Sequence, residues 1–282
     1  MTEHWRTRLG RFGIWRSVGQ TTPEIAVGIE RAGYGALWLG GSPSADLAAV
    51  ERLLDATSTL ILATGIVNMW QSDAHEVAAS FARIGGRHPN RFLLGVGAGH
   101  REAIAGYARP YETLASYVDV LRADGVPGTS LVLAALGPKM LRLAAERAAG
   151  AHPYLVTPRH TEMARSIMGG GPLLAPEHKA VLVSEAARAR AIARPRVRNP
   201  YLGLVNYTAN LRRLGWTDED LAGDGSDALI DALVAHGDPD DVAAHLGRHI
   251  NAGADHVSIQ LLTEPDADPM EHYLRLAGAL GL

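Results

Sequence analysis

A histidine follows an apolar run that has the character of a strand. The run is Arg91-Phe-Leu-Leu-Gly-Val-Gly97, and His100 comes after it, behind Ala98 and Gly99. Imidazole has a reference pKa near ~6.5, so this side chain can hold or release a proton at neutral pH. Histidines so close to a strand are often structural, but the polar position at a strand end favours a function. We therefore take His100 as the candidate catalytic residue.

A second group of residues could bind an anion. Residues 131–136 are consecutive apolar residues, typical of a strand that is covered on both faces. The run stops at Gly137-Pro138, and apolar residues then recur at helical spacing as far as Gly150. The first N–H groups of such a helix, together with its dipole, favour an anion. Lys139 would add positive charge there, unless it is an ordinary surface lysine.

Composition excludes several classes of protein. The chain has 282 residues, 47% of them hydrophobic, with a net charge of −3 and no cysteine. Disulfides, thiolate catalysis and cysteine metal sites are thereby excluded, and nothing in the charge indicates a nucleic acid or a membrane as partner. Residues 1–10 lack a signal-peptide core, and no run reaches the ~20 apolar residues of a membrane span. We expect a cytoplasmic protein.

Strands and helices alternate along the whole chain. Eight such strands predict a (β/α)8 TIM barrel, because this number closes a parallel sheet, and the length suits a single domain of residues 1–282. An inserted helical region, residues 185–236, separates the last two strands. Pro195 should break the helix in which it lies. The predicted strands are residues 11–15, 36–40, 60–67, 91–97, 131–136, 152–156, 180–183 and 256–262.

In such a barrel the ligand site lies at the carboxyl ends of the strands. Trp70, just past the third strand, is either a core residue or an aromatic wall for a substrate. His75-Glu76 does not continue as a zinc motif, because Ala79 stands four residues after His75. His245 and His249 are one helical turn apart, but neighbouring charges predict a solvated helix face rather than a metal site.

Four segments together are similar to one protein family. They are Arg91-Phe-Leu-Leu-Gly-Val-Gly97, Ala134-Ala-Leu-Gly-Pro-Lys-Met-Leu141, Gly150-Ala-His-Pro-Tyr-Leu-Val-Thr157 and Tyr201-Leu-Gly-Leu-Val-Asn-Tyr207. In this order they resemble the luciferase-like oxidoreductases, specifically the deazaflavin-dependent branch that uses coenzyme F420. The resemblance implies a barrel with an insertion after strand seven, a cofactor and hydride chemistry.

The resemblance also implies where the cofactor lies. Thr64-Gly-Ile-Val-Asn68 resembles the family segment behind the tricyclic ring, commonly with a non-proline cis peptide, here Gly65-Ile66. Residues 135–139 resemble the loop that holds the cofactor's side chain or phosphate. Strand two departs from the family, because it ends in Gly40-Gly41-Ser42 where relatives often have a polar or acidic residue. The predicted cofactor contacts are Gly40, Gly65, Ile66, Asn68, Ala98, Gly99, His100, Ala135, Leu136, Gly137, Pro138, Lys139 and Met140.

Three functions stay open at this point. The first is an F420-dependent oxidoreductase that transfers a hydride between the deazaflavin and a small organic substrate with an activated C=C or C=O, or the reverse alcohol oxidation. The second is a flavin mononucleotide (FMN) monooxygenase of the same superfamily. The third is a non-catalytic deazaflavin-binding protein. In the family a homodimer is common.

Overall fold

All strands of the protein pair in parallel and form one curled sheet in the computed structural model, which describes residues 2–100, 109–264 and 267–282. Helices between successive strands pack on the outside, as the alternating pattern predicted. The strands are β1 Phe12–Ser17, β2 Ala36–Gly40, β3 Ile61–Thr64, β4 Val67–Asn68, β5 Phe92–Gly97, β6 Leu131–Leu133, β7 Gly150–Ala151, β8 Leu173–Leu174, β9 Glu177–Val181, β10 Val234–His236 and β11 Val257–Leu261.

The barrel closes through one interrupted strand. β8 pairs with β7, whereas β9 pairs with β11, which in turn pairs with β1. Only Ala175 and Pro176 separate β8 from β9, and the Pro176 carbonyl accepts a hydrogen bond from the Ser258 N–H. β8 and β9 therefore act as the seventh of eight barrel strands, and the predicted TIM-barrel fold is confirmed.

The position of strand seven was predicted wrongly. It spans β8 and β9 and ends at Val181, whereas the sequence pattern placed it at residues 180–183. The reason is that Glu177, His178 and Lys179 are fully buried in this strand, and charged residues conceal an apolar run. Strand six was also misplaced, because β7 ends at Ala151, before the predicted start at residue 152.

Helices surround the sheet and begin at recognisable caps. Asp73, for example, accepts hydrogen bonds from the His75 and Glu76 N–H groups, as expected for an N-cap. The helices are α1 Thr2–Leu9, α2 Pro23–Arg31, α3 Ala48–Ala56, α4 Ala74–Arg87, α5 Pro110–Ala123, α6 Pro138–Arg147, α7 Pro158–Met168, α8 Ala186–Arg198, α9 Val205–Arg213, α10 Asp218–Leu221, α11 Asp227–Leu233, α12 Pro239–Asn251 and α13 Pro269–Leu280.

Helices α8 to α11 lie between β9 and β10 and form their own apolar cluster with the sheet. Two details differ from the sequence prediction. Pro195 does not break α8, because it lies three residues from the helix end, where little helix remains to be disrupted. The region ends as a strand rather than a helix, since β10 pairs with β9. The sequence also predicts one or two helices over residues 101–124; of these, residues 101–108 lie outside the described part of the chain, and α5 occupies the rest.

Helix α1 covers the amino-terminal end of the barrel. Its Trp5 and Leu9 pack with the aromatic and aliphatic side chains of the barrel interior, and the Trp5 indole donates a hydrogen bond of 2.6 Å to the Thr129 carbonyl. This end is therefore covered by α1, whereas a cavity opens at the carboxyl ends of the strands. No helix in the described part of the chain is long and apolar enough to cross a membrane.

Candidate functional site

A cavity of about 510 Å³ opens at the carboxyl ends of the barrel strands. Strand ends and following loops form its floor and one wall, and the inserted helices form the other wall. This position agrees with the site expected for the fold. We call it the central cavity, and its lining residues are Trp15, Ser17, Gly41, Ser42, Gly65, Ile66, Ala98, Gly99, His100, Pro110, Ala134, Ala135, Leu136, Gly137, Met140, His152, Tyr154, Tyr201, Asn206, Tyr207, Ala209 and Arg213.

The structure brings most of the predicted site residues to this cavity. They come from three separate strand ends and are Gly65, Ile66, Ala98, Gly99, His100, Ala135, Leu136, Gly137 and Met140. Other predicted residues do not line it: Gly40, Asn68, Trp70, Pro138 and Lys139. Asn68 is buried and its side chain accepts a hydrogen bond from the Trp70 N–H, Trp70 packs against the main core, and Lys139 is exposed.

Gly40 has a packing role that explains the missing polar residue of strand two. A Cβ at residue 40 would lie 1.8 Å from Cζ2 of Trp15. The Trp15 indole thus occupies the space that a side chain at this position would need. Any larger residue would displace Trp15, which itself lines the central cavity.

His100 lies between the end of β5 and the inserted helices. Its ring centroid is 5.9 Å from that of Tyr201 and 5.7 Å from that of Tyr207. Burial raises the pKa of Tyr201 to about 12 and that of Tyr207 well above its usual value, so both phenols stay protonated at neutral pH. Hence the candidate catalytic imidazole lies beside two neutral aromatic rings. The next residue, Arg101, lies outside the described part of the chain.

The loop before α6 has an open face towards the cavity. Gly137 is the N-cap residue of α6 and Pro138 is the first residue of the helix. A Cβ built on Gly137 meets no atom within 4 Å, although the glycine lines the cavity. The buried His160 bonds the Leu136 carbonyl at 2.9 Å and so holds the loop. Burial lowers the pKa of His160 to about 4, so this imidazole is neutral.

The end of β3 has the predicted backbone form. The Gly65-Ile66 peptide bond is cis, which confirms the prediction for this bond. A Cβ on Gly65 would lie 2.8 Å from Nε2 of His152 and 3.0 Å from Nε1 of Trp15. Two ring nitrogens of distant residues therefore meet at this glycine, on the floor of the cavity.

His152 and Trp15 were missed by the sequence analysis. The Nδ1–H of His152 donates a 2.7 Å hydrogen bond to the Ala175 carbonyl, which leaves Nε2 as an acceptor. Neither His152 Nε2 nor the Trp15 Nε1–H donor has a hydrogen-bond partner within the described residues. Because β7 ends at Ala151, His152 stands at a strand end, a signal that the misplaced sixth strand hid.

Comparison with known proteins shows which family part of the chain resembles. Residues 11–124 match the model of the luciferase-like monooxygenase family. These residues are luciferase-like in sequence. The match covers β1 to α5, including the cis peptide and the end of β5, and it confirms the predicted resemblance to the luciferase-like family over these residues. No curated protein matches the chain in sequence.

Solved structures share the fold of this chain over almost its whole length. An F420-dependent secondary alcohol dehydrogenase in complex with an F420-acetone adduct has a TM-score of 0.73 and 16% identity, with 96% of this chain and 98% of that chain covered. The coenzyme F420 dependent tetrahydromethanopterin reductase from Methanopyrus kandleri has a TM-score of 0.67 and 17% identity, with 95% and 97% covered.

A flavin enzyme is about equally similar. The oxygenating constituent of 3,6-diketocamphane monooxygenase from Pseudomonas putida, in complex with FMN, has a TM-score of 0.67 and 13% identity, with 95% of this chain and 96% of that chain covered. At such identities the likeness is one of fold.

A cluster of histidines lies away from the cavity, between α12 and the sheet. His249 is fully buried, with Nε2 2.9 Å from Nδ1 of His178, and Thr161 bonds its other nitrogen at 2.7 Å. The prediction of a solvated face for His249 was wrong, because this side of α12 packs on β9. The described residues contain no group of three or more ligand side chains that could hold a metal ion.

Proposed function

We propose that the protein is an oxidoreductase that binds coenzyme F420 in the central cavity and transfers a hydride between the deazaflavin and a small organic substrate. The substrate would carry an activated C=C or C=O, or would be an alcohol in the reverse reaction. The observation that carries the proposal is the luciferase-like cavity itself, in which His100, Gly65 and Gly137 converge from three strand ends.

The residues present fit a flat heterocycle with an anionic tail. At Gly65 the ring nitrogens of Trp15 and His152 meet on the cavity floor, and this donor and acceptor match the alternating carbonyl and N–H groups of a ring edge. Gly137 leaves open space at the start of α6, where backbone N–H groups favour a phosphate. The volume of about 510 Å³ is in the range of small-molecule pockets.

The chain's own residues would contribute position and a proton. When bound, the deazaflavin would supply the carbon that gives or takes the hydride. His100 would hold the proton that the reacting oxygen or carbon needs, or would polarise the substrate. Tyr201, Tyr207 and Ile66 would exclude water from the cavity and orient the substrate.

One titration tests the cofactor. We expect purified protein to quench or shift F420 fluorescence on binding, with a lower dissociation constant for F420 than for FMN. Tight yellow flavin that copurifies with the protein would contradict this and favour the FMN monooxygenase, which would also consume oxygen. Binding of F420 without turnover in any screen of alcohols, ketones and enones would favour the non-catalytic carrier.

Two further properties follow from the resemblance. We propose a homodimer and a single domain of residues 1–282 with the insertion at about 185–236. Light scattering after size exclusion measures the dimer, and a monomer at micromolar concentration would contradict it. Limited proteolysis tests the single domain, since two stable fragments separated near residue 185 would show two folding units.

A further inference from the structure

A second cavity lies beside the central one and has a different character. Its volume is about 760 Å³, and it is bounded by the ends of β1, β9 and β11 together with α8. The two cavities share four wall residues, Trp15, Ser17, Tyr154 and Tyr201. We call it the lateral cavity. Its polar wall includes Arg16, Gln20, Lys179, Arg196, Gln260 and Glu264.

A buried lysine supports the wall that these four shared residues form between the cavities, which we call the partition. Lys179 is fully buried, and its Nζ donates a 2.9 Å hydrogen bond to Oε1 of Glu177. The same Nζ lies 4.0 Å from the ring centroid of Tyr154 and 5.3 Å from that of Tyr201. Its charge is therefore balanced by Glu177 and by aromatic faces. Lys179 positions the partition and does not leave an uncompensated charge in the cavity.

Arg16, at the end of β1, is not balanced by a carboxylate. Its Nη1 donates to the Tyr273 hydroxyl and its Nη2 to the Gln20 carbonyl, each at 2.8 Å. The Nε–H is buried and has no partner within the described residues. Both partners are neutral, so the positive charge of this guanidinium, whose residue lines the lateral cavity, is not balanced by them.

Arg196 stands apart from the other arginines of α8. Arg194 pairs with Asp227, and Arg198 pairs with Asp224 at 2.7 Å. Arg196, between them, faces the lateral cavity and forms no ion pair with any carboxylate that the structure describes. Glu264, the acidic residue of the wall, is already engaged by Arg188 at 2.7 Å. The described wall thus has two arginines with no acidic partner.

Arginine is suited to planar anions. Its guanidinium presents a rigid fork of donors that matches carboxylate and phosphate oxygens, and a buried donor without a partner is costly unless a ligand satisfies it. We propose that the lateral cavity is a binding site for the anionic group of a small ligand, a carboxylate or a phosphate, held by Arg16 and Arg196.

The position of the site points to a role for that ligand. Because Trp15, Tyr154 and Tyr201 line both cavities, an anionic group bound here lies directly beside the central cavity, and the rest of the ligand would extend over the edge of this wall towards it. The ligand is then the substrate, with the anion remote from the reacting carbon. This assignment as substrate rests on the proposed function, whereas anion binding itself does not.

Calorimetric titration of the cofactor-free protein tests the site directly. The probes are succinate, inorganic phosphate and the neutral analogue succinamide, at constant ionic strength. We expect succinate or phosphate to bind with a one-to-one stoichiometry and succinamide not to bind. The preferred probe tells a carboxylate from a phosphate site, and absence of binding by both anions at millimolar concentration overturns the proposal.

Matched variants locate the site. Arg196→Met and Arg16→Met should each weaken anion binding by about tenfold or more, whereas Arg198→Met, two residues along α8, should leave it within twofold. If Arg16→Met does not fold, Arg16→Lys replaces it in the experiment. This variant keeps the charge without the fork of donors and should also weaken anion binding. If Arg16→Met, Arg196→Met and Arg198→Met all bind the anion with the same affinity, the proposed site is wrong. F420 binding is measured in a separate titration. Anion binding without F420 binding would therefore contradict the proposed function but support the anion site in the lateral cavity.

Discussion

The imidazole of His152 stacks on the indole of Trp38, with ring centroids 4.2 Å apart and planes inclined by 15°. Together with the hydrogen bond from Nδ1 to the Ala175 carbonyl, this stacking sets the orientation of the ring. Burial lowers the pKa of His152 to about 4, so the ring is neutral and Nε2 is an acceptor at physiological pH. The floor of the central cavity is thereby preorganised for a ligand that donates a hydrogen bond beside Gly65.

Removing this acceptor should weaken cofactor binding. In His152→Asn the amide can still donate to the Ala175 carbonyl, but the Nε2 acceptor is lost. We expect the F420 dissociation constant to rise by about 3- to 10-fold, the value of one hydrogen bond. The measurement is fluorescence titration.

A matched control exists at the other end of the barrel interior. His256 also donates through Nδ1, to the Gly10 carbonyl at 2.8 Å, and its Nε2 accepts from Trp38. His256→Asn should lower the thermal midpoint but leave F420 affinity unchanged. Equal loss of affinity in the two variants would mean that His152 acts only through stability.

His100 should matter for turnover rather than for binding. General acid–base groups contribute ~100-fold to ~10,000-fold, so His100→Gln should lower kcat by at least an order of magnitude once a substrate is identified. F420 affinity should stay within a few-fold. Steady-state kinetics and a cofactor titration on this variant provide both values, and an unaltered kcat would remove His100 from the mechanism.

Gly137→Val should affect the ligand more than the fold. A Cβ at this residue meets no protein atom within 4 Å, so the valine side chain would extend into the space before α6. We expect F420 binding to weaken by about tenfold or more, while the thermal midpoint changes little. Gly171→Val is the control, because its Cβ also meets no atom within 4 Å and Gly171 lies outside both cavities. An unchanged dissociation constant for Gly137→Val would refute the assignment of this loop.

Stability should fall steeply in mild acid. Burial lowers the pKa of His152, His160, His245 and His256 to about 4 and that of His249 to about 3. The unfolded chain takes up protons near pH ~6.5 while the folded one does not, so the stabilisation is complete above that pH and decreases below it. Each fully buried histidine contributes up to ~1.4 kcal/mol per pH unit to the slope of the free energy of unfolding against pH.

Urea unfolding at pH 8, 7, 6 and 5.5 measures this dependence. His249→Gln should be less stable than the wild type at pH 8 and should show a shallower slope below pH ~6.5, because one proton-linked group is gone. His75, whose pKa is raised by the hydrogen bond to Asp124, has the opposite sign but is exposed. A wild-type stability that is constant from pH 8 to 5.5 would contradict the account.

Local patterns along the chain determined most of the architecture. The alternation of apolar strands with helices predicted the barrel, Gly137-Pro138 predicted the start of α6, and the resemblance located the cis peptide at Gly65-Ile66. These features depend on neighbouring residues, since helical and strand periods, caps and turn residues act over a few positions.

Only the tertiary structure decided which side chains meet. Trp15 and His152 are 137 positions apart, yet both contact the space beside Gly65, because barrel closure brings the ends of β1, β3 and β7 together. The charged seventh strand was misplaced for the same reason. The sequence pattern identifies Glu177 and Lys179 only as charged residues. In the structure they are buried because they pair with each other and because Tyr154, from another strand end, packs on Lys179. Partners of this kind are set by the closed sheet and not by sequence spacing.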